Sequence, residues 1–239
     1  MTLKTLVEIS NRYGSDSDFV LAGGGNTSLK KDGVMYVKAS GTSLSDIDES
    51  GFVPMSLEKL LLLGSKRYPE DAEKREAAAL QDLMDARLSA DAGRPSVETL
   101  LHALFPEDLV VHTHPALVNG LTCSKGGEKK MRSLFGESPV WIEQTDPGYI
   151  LALKVKEEMD KATEKSGISP KIVFLQNHGV FVSGDSVQEI DASYTKIMEI
   201  LSDAVSTIPD SRQVPAEKKD TAASVEKTLK NTDDGFEEV

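Results

Sequence analysis

A chain of 239 residues with 39% hydrophobic and 28% charged residues holds enough apolar material for one substantial core inside a water-facing surface. Its formal charge of −12 argues against a nucleic-acid partner, which is held by Lys and Arg neutralising phosphates. No apolar run approaches the roughly 20 residues of a membrane helix, and residues 1 to 20 carry Lys4, Glu8, Arg12, Asp16 and Asp18 in place of an apolar signal core. A cytoplasmic protein with no membrane partner is expected. Its single cysteine, Cys123, forms no intrachain disulfide and is expected as a small buried residue in a reducing compartment.

Leu3, Leu6, Val7 and Ile9 fall at helical spacing over residues 2 to 13. Gly23-Gly24-Gly25-Asn26-Thr27-Ser28 then reads as a loop with the make-up of an anion cradle: glycines admit a ligand close to the backbone, and Asn, Thr and Ser add donors. It has neither the spacing of a dinucleotide fingerprint nor the ending of a P-loop. Asp32-Gly33 marks a hairpin ahead of the strand Val34-Met35-Tyr36-Val37, which the donor-rich turn Ser40-Gly41-Thr42 breaks. Residues 56 to 64 and 70 to 90 read as helices, the second with an apolar stripe of Leu80, Leu83, Met84 and Leu88.

Ser96 is placed as the N-cap of a further helix that turns Val97, Leu100, Leu101 and Leu104 to a core and ends near Phe105-Pro106. Two short apolar strands follow. Leu109-Val110-Val111 enters His112-Thr113-His114-Pro115, and Ile172-Val173-Phe174-Leu175 enters Gln176-Asn177-His178-Gly179. Val140-Trp141-Ile142 and Val180-Phe181-Val182 also read as strands, and residues 150 to 165 and 186 to 206 as helices. This order predicts an α/β domain over residues 1–208, a central mixed or antiparallel sheet flanked by helices. Residues 209–239, charged and poor in large apolar side chains, predict a flexible tail.

Only four histidines occur, and three stand where an apolar strand ends. Strand alternation turns His112 and His114 to one side, about 6 to 7 Å apart along the chain, so both can reach one ion. A third imidazole, His178, from a neighbouring strand would leave coordination positions open, as in catalytic zinc sites. The alternative is a surface pair plus a histidine that tolerates a turn. Glu98 is the acid–base candidate, although the helix dipole favours a carboxylate in a first turn whatever its role. His102, four residues on, shares its helix face and reads as a packing or supporting residue. An anionic substrate would need local donors against the acidic field: a metal, backbone N–H groups, or Lys30, Lys31 and Lys38.

Together these motifs resemble the class II aldolase/adducin family, typified by fuculose-phosphate and rhamnulose-phosphate aldolases. The elements run in family order: Gly25-Asn26-Thr27-Ser28, Ser40-Gly41, Ser96 with Glu98, His112-Thr113-His114 and Asn177-His178-Gly179. The resemblance implies a three-layer class II aldolase-like fold and one Zn2+ or other divalent metal per chain on His112, His114 and His178. It makes Glu98 the catalytic acid–base residue and assigns Gly25, Asn26, Thr27, Ser40, Gly41 and Ser96 to substrate and phosphate binding. It further implies a small-molecule sugar phosphate as substrate, cleaved to dihydroxyacetone phosphate and an aldehyde, and a homotetramer.

Three features depart from the pattern. Val97 stands where the family motif often has a second serine. The 54 residues between Gly41 and Ser96 resemble the spacing in the aldolase modules of bifunctional aldolase–dehydrogenases. No tyrosine matches the one family aldolases take from a neighbouring subunit, with Tyr149 and Tyr194 merely available. The same site in related proteins performs epimerisation, where an aspartate usually replaces Glu98, or dehydration. A non-catalytic, adducin-like scaffold is the alternative from another class.

Overall fold

Asp32 and Gly33 adopt φ values of 51° and 79°, the left-handed pair that a two-residue hairpin requires. They join Asn26–Lys31 (β1) to Val34–Lys38 (β2) in the computed structural model, which describes residues 1–21 and 24–205. Ahead of them lies Leu3–Gly14 (α1), opened by Thr2, whose hydroxyl accepts from the Thr5 N–H. Phe52–Ser56 (β3) follows, then three helices: Leu57–Leu63 (α2), Ala72–Asp85 (α3) and Thr99–Leu104 (α4). Leu109–Thr113 (β4), Ala116–Thr122 (α5), Gly127–Phe135 (α6) and Val140–Ile142 (β5) come next. Tyr149–Ser166 (α7), Ile172–Leu175 (β6), Gly179–Gly184 (β7) and Val187–Ala204 (α8) complete the described strands and α-helices.

The strands form one seven-stranded sheet in the order β3-β2-β1-β4-β7-β6-β5. Every neighbouring pair is antiparallel except β5 and β6, which are parallel and joined through α7. The expected mixed sheet with flanking helices is therefore found. Alternation along the strands divides the interior in two. Leu109, Val111, Phe174, Val180 and Val182 pack on one face with Leu6 and Ile9 of α1 and Ile190, Tyr194 and Ile197 of α8. Val110, Val173, Leu175 and Phe181 pack on the other with residues of α2, α3, α4 and α7.

Several local expectations are corrected. Asn26, Thr27 and Ser28 lie in a strand, not a loop. The helix expected to start after Ser96 begins at Thr99, with Glu98 in the N-cap place and making no side-chain cap bond. β3 was not anticipated because Pro54 interrupts its pattern; the proline is tolerated because β3 is an edge strand. α5 and α6 were also missed, since Gly120, Gly126 and Gly127 read as breakers. Cys123 is exposed at the end of α5, contrary to the buried position expected. The expected domain boundary near residue 208 and the tail lie outside the described residues. Among those described, no helix is long and apolar enough to cross a membrane.

A Cβ added at Gly33 meets nothing within 4 Å, so Gly33→Ala isolates the backbone conformational cost. Urea unfolding of this variant is expected to show a loss of about 1 kcal/mol with an unchanged m-value; an unchanged midpoint would mean the hairpin carries no such constraint.

Candidate metal centre and its carboxylate

The three central strands bring the histidines together. β1 starts, β4 ends and β7 starts at the same end of the sheet, with Asn26 opposite His112 and His112 opposite Phe181. His112 is fully buried and its ring stacks on Phe181 at 4.0 Å. Its Nδ1 donates to the Val180 carbonyl at 3.0 Å, which leaves Nε2 bare and facing the cluster. His114 lies just beyond β4, its backbone N–H held by the Phe19 carbonyl. His178 sits in the turn between β6 and β7. Asn177 at φ 59° makes that turn, its N–H donating to the Thr122 carbonyl and its Nδ2 to Gln144 Oε1 at 2.7 Å.

One ring nitrogen from each of His112, His114 and His178 lies within 4.8 Å of the others, and the Nε2 atoms of His112 and His114 are 2.8 Å apart. Burial, followed by the neighbouring imidazoles, holds His112 well below the usual histidine range, and burial followed by His178 pushes His114 down to about 4. The three rings so arranged turn one nitrogen each toward a common point. Glu98 Oε1 lies 3.4 Å from Nε2 of both His112 and His178. That oxygen is buried and has no hydrogen-bond donor. Converging ring nitrogens and an orphaned carboxylate oxygen are the environment a divalent cation relieves, so the donor set fits the metal that the sequence implies.

Burial raises the Glu98 carboxyl, opposed by His178, the Asn26 amide and Lys38. Asn26 Nδ2 donates to Glu98 Oε2 at 2.5 Å and to Ser96 Oγ at 3.2 Å. Ser96 Oγ also accepts from the Glu98 N–H at 3.3 Å. Ala39 bridges Pro95, with Ser40 N–H donating to the Arg94 carbonyl and Ser96 N–H to the Lys38 carbonyl, so the Ser40-Gly41 turn is brought beside Ser96. Gly25, at φ 74°, packs its Cα against the His112 carbonyl, where a Cβ would come to 2.8 Å.

Other expected donors are not brought here. Thr27 turns to the opposite face, its hydroxyl 2.7 Å from Ser10 Oγ of α1. Lys30 and Lys31 lie at the far end of β1, and Lys30 Nζ donates to the Glu107 carbonyl. Val97 lines an apolar hollow of about 260 Å³ with Leu80, Leu83, Leu100 and Tyr149. The hydroxyls of Tyr149 and Tyr194 donate to the Lys66 and Val111 carbonyls respectively. Sequence reading missed the stacking of Phe181 under His112, since an aromatic in an apolar strand carries no mark of its partner. It also left His102 unconnected to Asn26.

Residues 4–204 match the family described as Class II Aldolase and Adducin N-terminal domain. The "Uncharacterized oxidoreductase YuxG" of Bacillus subtilis (strain 168) is 29% identical over 217 residues, covering 87% of this chain and 30% of that protein. The chain thus spans under a third of that relative's length. The N-terminal class II aldolase domain of a conserved protein from Thermoplasma acidophilum has a TM-score of 0.72 at 27% identity, over 85% of this chain and 93% of that one. L-fuculose-1-phosphate aldolase from Thermus thermophilus shares the fold at TM-score 0.52 and 14% identity, over 84% of this chain and 91% of that one.

Gly179 is where the backbone comes closest to the cluster: a Cβ there would lie 2.6 Å from His114 Cδ2 and 2.5 Å from the Thr113 carbonyl oxygen. Gly179→Ala is therefore expected to displace His114 and weaken divalent-cation binding at the cluster by about 10- to 100-fold, measured by competition with a chromogenic chelator; wild-type affinity would show that His114 either keeps its place or holds no ion.

Proposed function

Since the chain belongs to the class II aldolase and adducin family, we propose that it is a divalent-metal-dependent lyase cleaving a ketose phosphate to dihydroxyacetone phosphate and an aldehyde. The observation that carries this reading is the meeting of three imidazoles with one buried, unpartnered carboxylate oxygen of Glu98. One ion per chain, zinc in the first instance, would be held by His112, His114 and His178. When bound, it supplies Lewis-acid charge beside the substrate carbonyl.

Breaking the C3–C4 bond turns the C4 hydroxyl into an aldehyde carbonyl and leaves an electron pair on C3 of the three-carbon fragment. Glu98 would carry the proton exchanged at C3, giving it to C3 in cleavage and removing it as a carboxylate in condensation, and burial, which raises its carboxyl, favours that exchange. Ser96, the Ser40-Gly41 turn and Lys38 would hold the substrate phosphate. Lys38 is buried, lies in the field of Glu98 and is the one lysine of the three expected that stands at the site end of the sheet. Val97 contributes no hydroxyl, so this anion site would rest more heavily on the lysine.

The C4 hydroxyl needs a base as the bond breaks, and Tyr149 and Tyr194 already donate within the chain. A neighbouring copy would supply that group, which favours a homo-oligomer, a tetramer by family resemblance, with the site near a subunit boundary. The three histidines support a catalytic reading over an adducin-like scaffold.

A panel of ketose 1-phosphates is expected to contain one that releases dihydroxyacetone phosphate with the zinc-loaded full chain. His112→Ala should lose both metal and turnover. Glu98→Gln should keep the metal and lower kcat by a factor of about 100 or more; near-normal turnover would return Glu98 to a purely structural place. Light scattering is expected to report an oligomer, and an active monomer would defeat the shared site.

A further inference from the structure

β1 and α4 meet with matched spacings. Asn26 and Ser28, two residues apart on β1, project to one face of the sheet, and Glu98, in the N-cap place ahead of α4, and His102, four residues on within α4, both reach them. The pairs interlock as a chain: Glu98 Oε2 is bonded to Asn26 Nδ2, Asn26 Oδ1 to His102 Nε2, and His102 Nδ1 to Ser28 Oγ at 2.8 Å. All four side chains are buried, and His102 packs its ring edge against Phe181.

The chemistry of the end group sets every direction in this chain. A carboxylate oxygen only accepts, so Asn26 must turn its amide nitrogen to Glu98 and its carbonyl to His102. That carbonyl needs a donor, so His102 carries its proton on Nε2. Nδ1 is then bare and accepts from the Ser28 hydroxyl. Burial, followed by Lys30, pushes His102 down to about 3, so the ring holds one proton and its placement is the only variable. Were the Asn26 amide reversed, its carbonyl would face the carboxylate and its NH2 the imidazole N–H, two repulsive contacts in place of two bonds.

We propose that His102, set by Ser28 and acting through Asn26, is a positioning residue that aims Glu98, fixing Oε2 so that Oε1 points at His112 and His178. The proposal rests on the reading of Glu98 as the acid–base group. Asn26 thereby serves the carboxylate: both ends of its amide are taken up by Glu98, Ser96 and His102.

The full chain loaded with zinc allows a test in two parts. In protein labelled with 15N-histidine, the resonance lost on substituting His102 should report the Nε2–H tautomer; an Nδ1–H tautomer or an imidazolium would overturn the proposal. His102→Phe keeps the ring packing but removes both bonds. Its crystal structure should show Glu98 Oε1 moved away from His112 and His178 with zinc still bound, and an unmoved Glu98 would overturn the proposal. On whichever ketose 1-phosphate the wild type cleaves, His102→Phe should lower kcat about 10- to 100-fold with KM little changed. His102→Gln, whose amide nitrogen occupies the place of Nε2, should regain part of that loss, and a rise in KM alone would count against positioning. Ser28→Ala gives the same comparison should His102→Phe not fold. A wild type that cleaves none of the panel would sink the aldolase reading, while the tautomer and the Glu98 displacement would still decide the relay.

Discussion

A carboxylate placed away from water loses solvation worth on the order of several kcal/mol, and a fold keeps one only where fixed dipoles and positive charge replace that solvation. Glu98 is such a group: 6% exposed, with one oxygen bonded to the Asn26 amide and the other to nothing. The surroundings read as consequences of that demand. Asn26 presents an N–H, Lys38 lends a distant positive field, and the rings of His112 and His178 converge on the bare oxygen. Removing any one of these leaves a buried charge less well compensated, so the polar groups of this region depend on one another far more than neighbouring apolar side chains do.

The three metal-ligating candidates were legible because each stands at or just past the end of an apolar strand run, in a chain with only one other histidine. Glu98 was legible only with its neighbours, since the sequence offers a helix-dipole explanation for any carboxylate at that place. What could not be read was face. Asn26, Thr27 and Ser28 look equivalent as a polar triplet in a row, and a loop was the natural reading of them after a run of glycines. Once they are a strand, period two separates them: Asn26 and Ser28 join the site, while Thr27 belongs to the contact with α1. Pairing partners are equally silent in sequence, because the register that sets Asn26 opposite His112 is decided by contacts over 80 residues apart.

Helix boundaries misled in an instructive way. Ser96 has the chemistry of an N-cap, and its hydroxyl does accept a backbone N–H, that of Glu98. The chain delays helix formation until Thr99, so Glu98 sits in the bridge region at φ −93° and ψ 9° instead of inside a first turn. That displacement lets the carboxylate reach across to β1. A regular helix from Ser96 would have favoured the bland role for Glu98; the irregular start leaves its side chain free to serve another element.

The pairing of Ala39 with Pro95, flanked by Ser40 N–H to Arg94 and Ser96 N–H to Lys38, closes the 54-residue excursion between Gly41 and Ser96 at its neck. Chain leaves and returns at one spot, so the ends facing the site are tied whatever lies between. Loop-closure entropy rises only about 0.6 kcal/mol for each doubling of length once such a neck exists. The excursion carries β3, an edge strand, with α2 and α3, and none of the metal-ligating candidates. Such a stem is a place where a lineage can lengthen or trim its polypeptide while the reacting groups keep their separations, which makes this segment the natural seat of divergence among proteins built on the same sheet.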